Sequence, residues 1–149
     1  MTQLLFTRTR DVTPPSRAHE GDAGVDFFIP NDFNKAVLPH GHSALIPSGI
    51  KVDVPSGWAL IFHNKSGIAS KLNLDVMACV IDAGYKGECH INVINNGTEP
   101  VVLKPGMKIV QGILLPVGLH TPIEVYSEDE MWKDTDSNRG SGGFGSTGA

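Results

Sequence analysis

Three short stretches hold the residue types from which chemistry can be built. In "VIDAGYKGE", residues 80–88, an apolar pair runs into Asp82, Ala83 and Gly84 turn the chain, and Tyr85 follows. Cys89, Ile91 and Val93 then alternate, so the spacing predicts a β-hairpin with a carboxylate and an aromatic ring at its tip. Asp and Gly are ordinary turn residues. The same tip also suits a slot where backbone N–H and C=O groups read the edge of a flat ring, with Tyr85 as a wall. In "KSGIASK", residues 65–71, a Lys-Ser-Gly opens the only short helical pattern, over 67–72. Ser66 fits an N-cap. Its hydroxyl, the amides around Gly67 and the Lys65 charge equally suit a phosphate. The third stretch is "RGSGGFGSTGA", residues 139–149. Gly140, Gly142 and Gly145 meet the G-x-G-x-x-G spacing of a dinucleotide loop, but that loop must lead into a helix, and none follows. A phosphate loop would also need a lysine where Ser146 stands.

Other polar residues ask for partners rather than announce a reaction. Asp22 and Asp26 lie in "GDAGVDF", and Gln111 interrupts an apolar strand where a buried amide must be hydrogen-bonded. The six histidines are scattered, with only His40 and His42 close together, so no zinc pattern is present. A nucleophilic serine has no elbow motif to sit on.

The elements that must position these residues are short. Apolar or alternating runs at 43–64, 74–97 and 109–117 lie between turn signals at 47–49, 55–57, 95–97 and 104–106. Turns recurring about every ten residues predict an all-β sandwich or barrel. Residues 1–125 read as the packed body, 126–138 as an acidic surface linker and 139–149 as a glycine-rich mobile arm. At 149 residues and 40% hydrophobic, the chain suits one domain. A net charge of −4 without a Lys/Arg block argues against a polynucleotide partner, though not against a small phosphorylated one. No apolar run reaches membrane-spanning length, and "MTQLLFTRTR" lacks the pattern of a secretory signal. Cys79 and Cys89, the only cysteines, read as reduced thiols of a cytoplasmic protein.

Each stretch is modest alone, but their order is specific. "AGVDFF", "KSGIA", "VIDAGYKGE", "PGMKIVQ" and "RGSGGFGSTG" occur in that sequence from about residue 20 onward and together resemble the five motifs of the trimeric dUTPases. The resemblance implies a jelly-roll-like β-barrel that assembles as a homotrimer, with each active site drawn from three subunits. The arm then becomes a lid whose glycines let its backbone wrap phosphate. The implied reaction converts dUTP and water to dUMP and pyrophosphate, which limits uracil in DNA and supplies dUMP for thymidylate synthesis.

By the same resemblance, Asp82 orients and deprotonates the water that attacks the α-phosphorus. Ser66 and Gln111 lie near the α-phosphate, with Lys65 and Gly67 also contacting phosphate. Arg139 meets the terminal phosphate, Phe144 stacks on uracil, and Gly145, Ser146 and Thr147 add phosphate contacts. The backbone around Val80, Ile81 and His90 reads uracil, and Tyr85 packs on deoxyribose and leaves no room for a 2′-hydroxyl. Mg²⁺ rides on the triphosphate, and Asp26 holds it through water.

Four positions depart from the commonest family pattern. Lys65 replaces arginine, Cys79 glycine, Phe27 leucine, and Gly84 a second acidic residue. Two alternatives share these features. A dCTP deaminase of the same fold, with or without dUTPase activity, needs a glutamate base, and Glu88 is the only other carboxylate near the tip. A nucleotide-switched binding trimer could dispense with Asp82, Arg139 or Phe144, yet all are present. A regulatory protein partner is not readable from the sequence.

Overall fold

The computed structural model describes residues 3–135, 137 and 140–142. Contacts divide the chain into two units, before and after the Gly118–Leu119 junction.

Apart from one short helix, the regular elements of the first unit are antiparallel strands. They are β1 (Leu5–Arg8), β2 (Val25–Phe28), β3 (Ala36–Leu38), β4 (Ser43–Pro47), β5 (Ile50–Asp53), β6 (Trp58–Asn64), β7 (Leu74–Val76), β8 (Val80–Asp82), β9 (His90–Asn95), β10 (Val101–Leu103) and β11 (Lys108–Pro116), with one helix, α1 (Ser66–Leu72), after β6. They form a four-stranded sheet in the order β2-β11-β6-β8, a three-stranded sheet β4-β9-β7, and the pairs β1-β5 and β3-β10. The period-two patterns account for the faces. Ile50 and Val52 of β5, and Ile91 and Val93 of β9, point inward while their neighbours do not. β6 lies between two strands and buries Ala59, Leu60 and Phe62. Phe62 meets Phe27 edge to face, with ring centroids 4.8 Å apart, at the centre of the core. Asn95, fully buried, donates to the carbonyls of Leu38 and Glu99 and accepts from the Gly97 N–H, so no polar atom of this tie is left dry and unpaired.

The all-β expectation holds, but three local expectations change. The predicted hairpin does not form as a ladder: β8 pairs with β6, whereas β9 pairs with β4 and β7. Cys89, just before β9, bonds through its backbone to Ile50 and Ser48, so residues 83–88 cross from one sheet to another. Ser66 is not the N-cap of α1. Lys65 takes that position in extended geometry, Ser66 becomes the first helical residue, and no side chain caps the helix. A second helix, α2 (Glu128–Trp132), occurs in the stretch read as linker, and it belongs to the second unit. Its N-cap Ser127 accepts from the Glu130 N–H at 3.2 Å, and all three acids of its first turn favour the positive end of the helix. Among the described residues, no helix is long and apolar enough to cross a membrane.

Candidate active site

The polar candidates fall into two groups. The first gathers where β2, β11 and the end of β6 meet. Asp26 of β2 and Gln111 of β11 are cross-strand partners, and Gln111 is paired on its other side with His63. Partners across a ladder share a face. Lys108 should alternate away from Gln111, but a bulge between Lys108 and Val110 sets Lys108 opposite Phe28 and turns it to the Asp26 face. The bulge also lets Ile109 and Val110, adjacent in sequence, both be buried.

Asp26 is 4% exposed and holds two ammonium groups. Its Oδ1 accepts from Lys65 Nζ, and its Oδ2 lies 2.9 Å from Lys108 Nζ. Burial pushes the Asp26 carboxyl up, but the hydrogen bonds and charges of the two lysines outweigh it and hold the group below the ordinary carboxylate range. Gln111 Nε2 donates to the Asn64 carbonyl at 2.8 Å. Asn64 in turn binds Asp75 and the Val76 N–H through its side chain, fastening β6 to β7 just before Lys65 and Ser66. The Ser66 hydroxyl makes no hydrogen bond among the described residues.

The second group lies at the sheet edge. Among the described residues, β8 has β6 on one side and no strand on the other. The Phe62 N–H donates to the Cys79 carbonyl at 2.8 Å, and strand alternation therefore turns the Val80 N–H and C=O to the open edge. Val80 is 58% exposed there, whereas Ile81 faces the core at 7%. Asp82 ends the strand with an exposed carboxylate. Its carbonyl accepts from the Tyr85 N–H, and Gly84 between them has φ +85°, as the third position of a type II turn requires. The Tyr85 ring lies across Gly87, where a Cβ would stand 2.2 Å from the phenol oxygen, and that hydroxyl donates to the Glu88 carbonyl at 3.1 Å. Glu88 accepts from the Gly49 N–H at 2.5 Å, which ties the crossover to the β4–β5 turn. His90, expected beside Val80 and Ile81, belongs to the other sheet, and its Nδ1 lies 3.0 Å from the Glu88 carbonyl.

One strand measures the gap between the groups. Asp82 is opposite Ala59 at the start of β6, while Lys65 follows its end at Asn64. At roughly 3.3 Å per residue, the six steps from Ala59 to Lys65 span about 20 Å. A general base must come within hydrogen-bond reach of the proton it takes. Within one chain, then, Asp82 is about 20 Å along β6 from Lys65, with Ser66 and Gly67 beyond it, and at the same rise about 13 Å from Gln111, which pairs with His63. Arg139, Phe144, Gly145, Ser146 and Thr147 lie outside the described residues.

Lys108 is the member that sequence reasoning missed. The signal was present: two consecutive inward apolar residues in "KIVQ" break a period of two, as a bulge does.

Neither cysteine is paired, and Cys89 is buried. Burial, helped by the Glu88 charge, pushes its thiol from the ordinary 9.0 to about 11. The neutral thiol is thus favoured by folding, a contribution present below pH 9 and lost as pH rises through about 11. We expect iodoacetamide at pH 8 to leave Cys89 unmodified in the native protein and to alkylate it in urea, as peptide mass mapping would show; native modification would mean that the site opens.

Comparison with known proteins finds relatives of both the sequence and the fold. The sequence profile described as dUTPase matches residues 10–148. A deoxyuridine 5′-triphosphate nucleotidohydrolase of Mycolicibacterium vanbaalenii is 39% identical over 151 aligned positions, covering 99% of this chain and 96% of its own length. The dUTPase of Staphylococcus bacteriophage 80alpha, solved with dUpNHpp, superposes with a TM-score of 0.83 at 25% identity over the whole of both chains. A mutant dUTPase of phage phi11 of S. aureus, described with a structural Mg(II) ion, gives 0.76 at 24% identity, covering 85% of this chain and 98% of its own.

Proposed function

The chain belongs to the dUTPase family, and from that premise we propose that it hydrolyses dUTP to dUMP and pyrophosphate at sites shared between the subunits of a homotrimer. The observation that carries the reading is the separation of the two groups along β6. Each suits one half of dUTP, and their spacing along one chain supports a nucleotide shared between two subunits. The edge group of one subunit facing the lysine group of another would complete the site.

At the edge group, the outward N–H and C=O of Val80 suit the alternating donors and acceptors of uracil, with Ile81 behind them and His90 at the flank. Tyr85, braced on Gly87 and Glu88, packs against the deoxyribose where a 2′-hydroxyl would otherwise project. Asp82, with no competing partner, orients a water and takes its proton as it attacks the α-phosphorus in line with the departing pyrophosphate. At the lysine group, the free Ser66 hydroxyl and the Gln111 amide meet the α-phosphate, and Lys65 with the Gly67 amide meets the rest of the chain of phosphates. Arg139 engages the terminal phosphate and Phe144 covers the uracil, while Gly145, Ser146 and Thr147 add phosphate contacts.

Mg²⁺ fits this arrangement only as a companion of the nucleotide. Among the described residues no group of three His, Cys, Asp or Glu could hold an ion, and Asp26 is a single carboxylate able to act through water. When bound, the ion supplies positive charge against that developing on the pyrophosphate. Removing dUTP in this way would limit uracil in DNA and supply dUMP for thymidylate synthesis, and two unpaired thiols suit the reducing cytoplasm. The deaminase alternative loses ground because Glu88, its candidate base, is bonded to Gly49.

Pyrophosphate release from dUTP, UTP, dTTP and dCTP with Mg²⁺ tests the chemistry: release from dUTP alone is expected, and nearly none from a chain cut before Arg139. Mixing tests the sharing. Asp82→Asn and Gln111→Ala proteins, each inactive, should regain activity when unfolded and reassembled together, whereas no recovery would place both residues in one subunit's site. Gly87→Ala should keep the fold, since only the far end of the Tyr85 ring must move. The displaced ring should narrow the preference for dUTP over UTP by roughly tenfold or more, read from kcat/KM for each.

A further inference from the structure

We propose that Lys108 is a positioning residue that keeps Asp26 anchored while Lys65 transfers from Asp26 to the triphosphate. The inference rests on the dUTP-hydrolysis reading and adds to it a residue and an exchange. Asp26 is 4% exposed, and a carboxylate so buried needs a cation beside it. It has two, one on each oxygen. Lys65 immediately precedes Ser66 and Gly67, so its ammonium, on a flexible four-carbon stem, can swing toward any phosphate bound there. Lys108 cannot substitute for it. The bulge aims it at Asp26, and its ammonium also lies over the Phe28 ring, 5.7 Å from its centre.

Charge explains why two lysines are needed. With one lysine, moving it to the nucleotide would strand a buried anion, and the carboxylate would compete with the triphosphate for it. With two, the departure of Lys65 leaves a neutral Asp26–Lys108 pair and a vacated Oδ1 able to accept from water. The empty protein thus stores its phosphate-binding cation on Asp26, and Lys108 makes it releasable.

Calorimetric binding of dUpNHpp tests this without turnover, in EDTA and again with Mg²⁺. Lys108→Met is expected to weaken binding about tenfold, Lys108→Arg to restore most of it, and Lys108→Met to have less than about a twofold effect in a Lys65→Met background, because the residues act as a pair. In lysine-labelled wild type, the Lys65 Nζ signal should move on saturation with dUpNHpp while that of Lys108 stays. Equal penalties for Lys108→Met in both backgrounds, or a Lys65 signal that does not respond, would overturn the exchange. Should Lys108→Met fail to fold, Lys108→Arg and the wild-type spectra still decide. Wild type that does not hydrolyse dUTP overturns the catalytic reading, while hydrolysis with uncoupled lysines overturns this inference alone.

Discussion

Asp82→Asn is expected to lower kcat for dUTP by about 10²–10⁴-fold, the usual contribution of a positioned general base. The amide matches the carboxylate in shape and can still orient a water, but it cannot take the proton. Nothing in the fold depends on the charge: Asp82 is exposed at the end of β8, and only its backbone carbonyl is used, by Tyr85. The thermal midpoint should therefore stay at the wild-type value. KM should change little if, as proposed, backbone groups at Val80 read uracil and other residues hold the phosphates. Steady-state pyrophosphate release beside a melting curve separates the cases. Retained activity would mean that another group activates the water.

Phe62→Ala should cost about 3–5 kcal/mol, a large share of the roughly 5–15 kcal/mol that holds a typical domain folded. Phe62 is 2% exposed on a strand flanked on both sides, and its edge-to-face partner Phe27 would lose its contact as well. The neighbours cannot collapse into the gap, because β6 is fixed to β11 along seven register pairs from Trp58 to Asn64. Urea unfolding at one fixed protein concentration would show a lower midpoint, and concentration is held because assembly into the proposed trimer would add to stability. A midpoint within about 1 kcal/mol of wild type would show that the two sheets repack. Phe62→Leu, which keeps most of the volume, should be much milder.

Much of this architecture was legible because local chemistry dictates it. The strand patterns at 50–53 and 90–95 name their own inward faces. Gly84 announced a turn and adopts the left-handed φ that the turn requires. The order of the short stretches pointed to Asp82, Asp26 and Gln111 and implied a site drawn from several subunits, but order carries no distances, so which residues share a group within one chain waited for β6 to set the scale. The partner of β8 was misjudged for a related reason. A turn signal says that the chain reverses, whereas ladder formation depends on which strand edges are free after the sheets assemble. Ser66 was one residue from its expected role, since its neighbour Lys65 has the extended geometry of a cap. The pair Ser127 and Glu130 did spell a capping box, and the acidity of its surroundings drew attention away from it.

The open edge of β8 has a further consequence. A row of unpaired backbone groups beside an exposed Val80 is an invitation to any unfolded or neighbouring strand, and proteins that keep such edges must blunt them. This one is only three residues long, ends on a carboxylate, and is cut short at once by the Gly84 turn. A carboxylate at the end of so short an edge acts against fibril-like pairing, a duty Asp82 would serve whatever its part in the reaction. An apolar substitution there is expected to lengthen the sticky part of the edge.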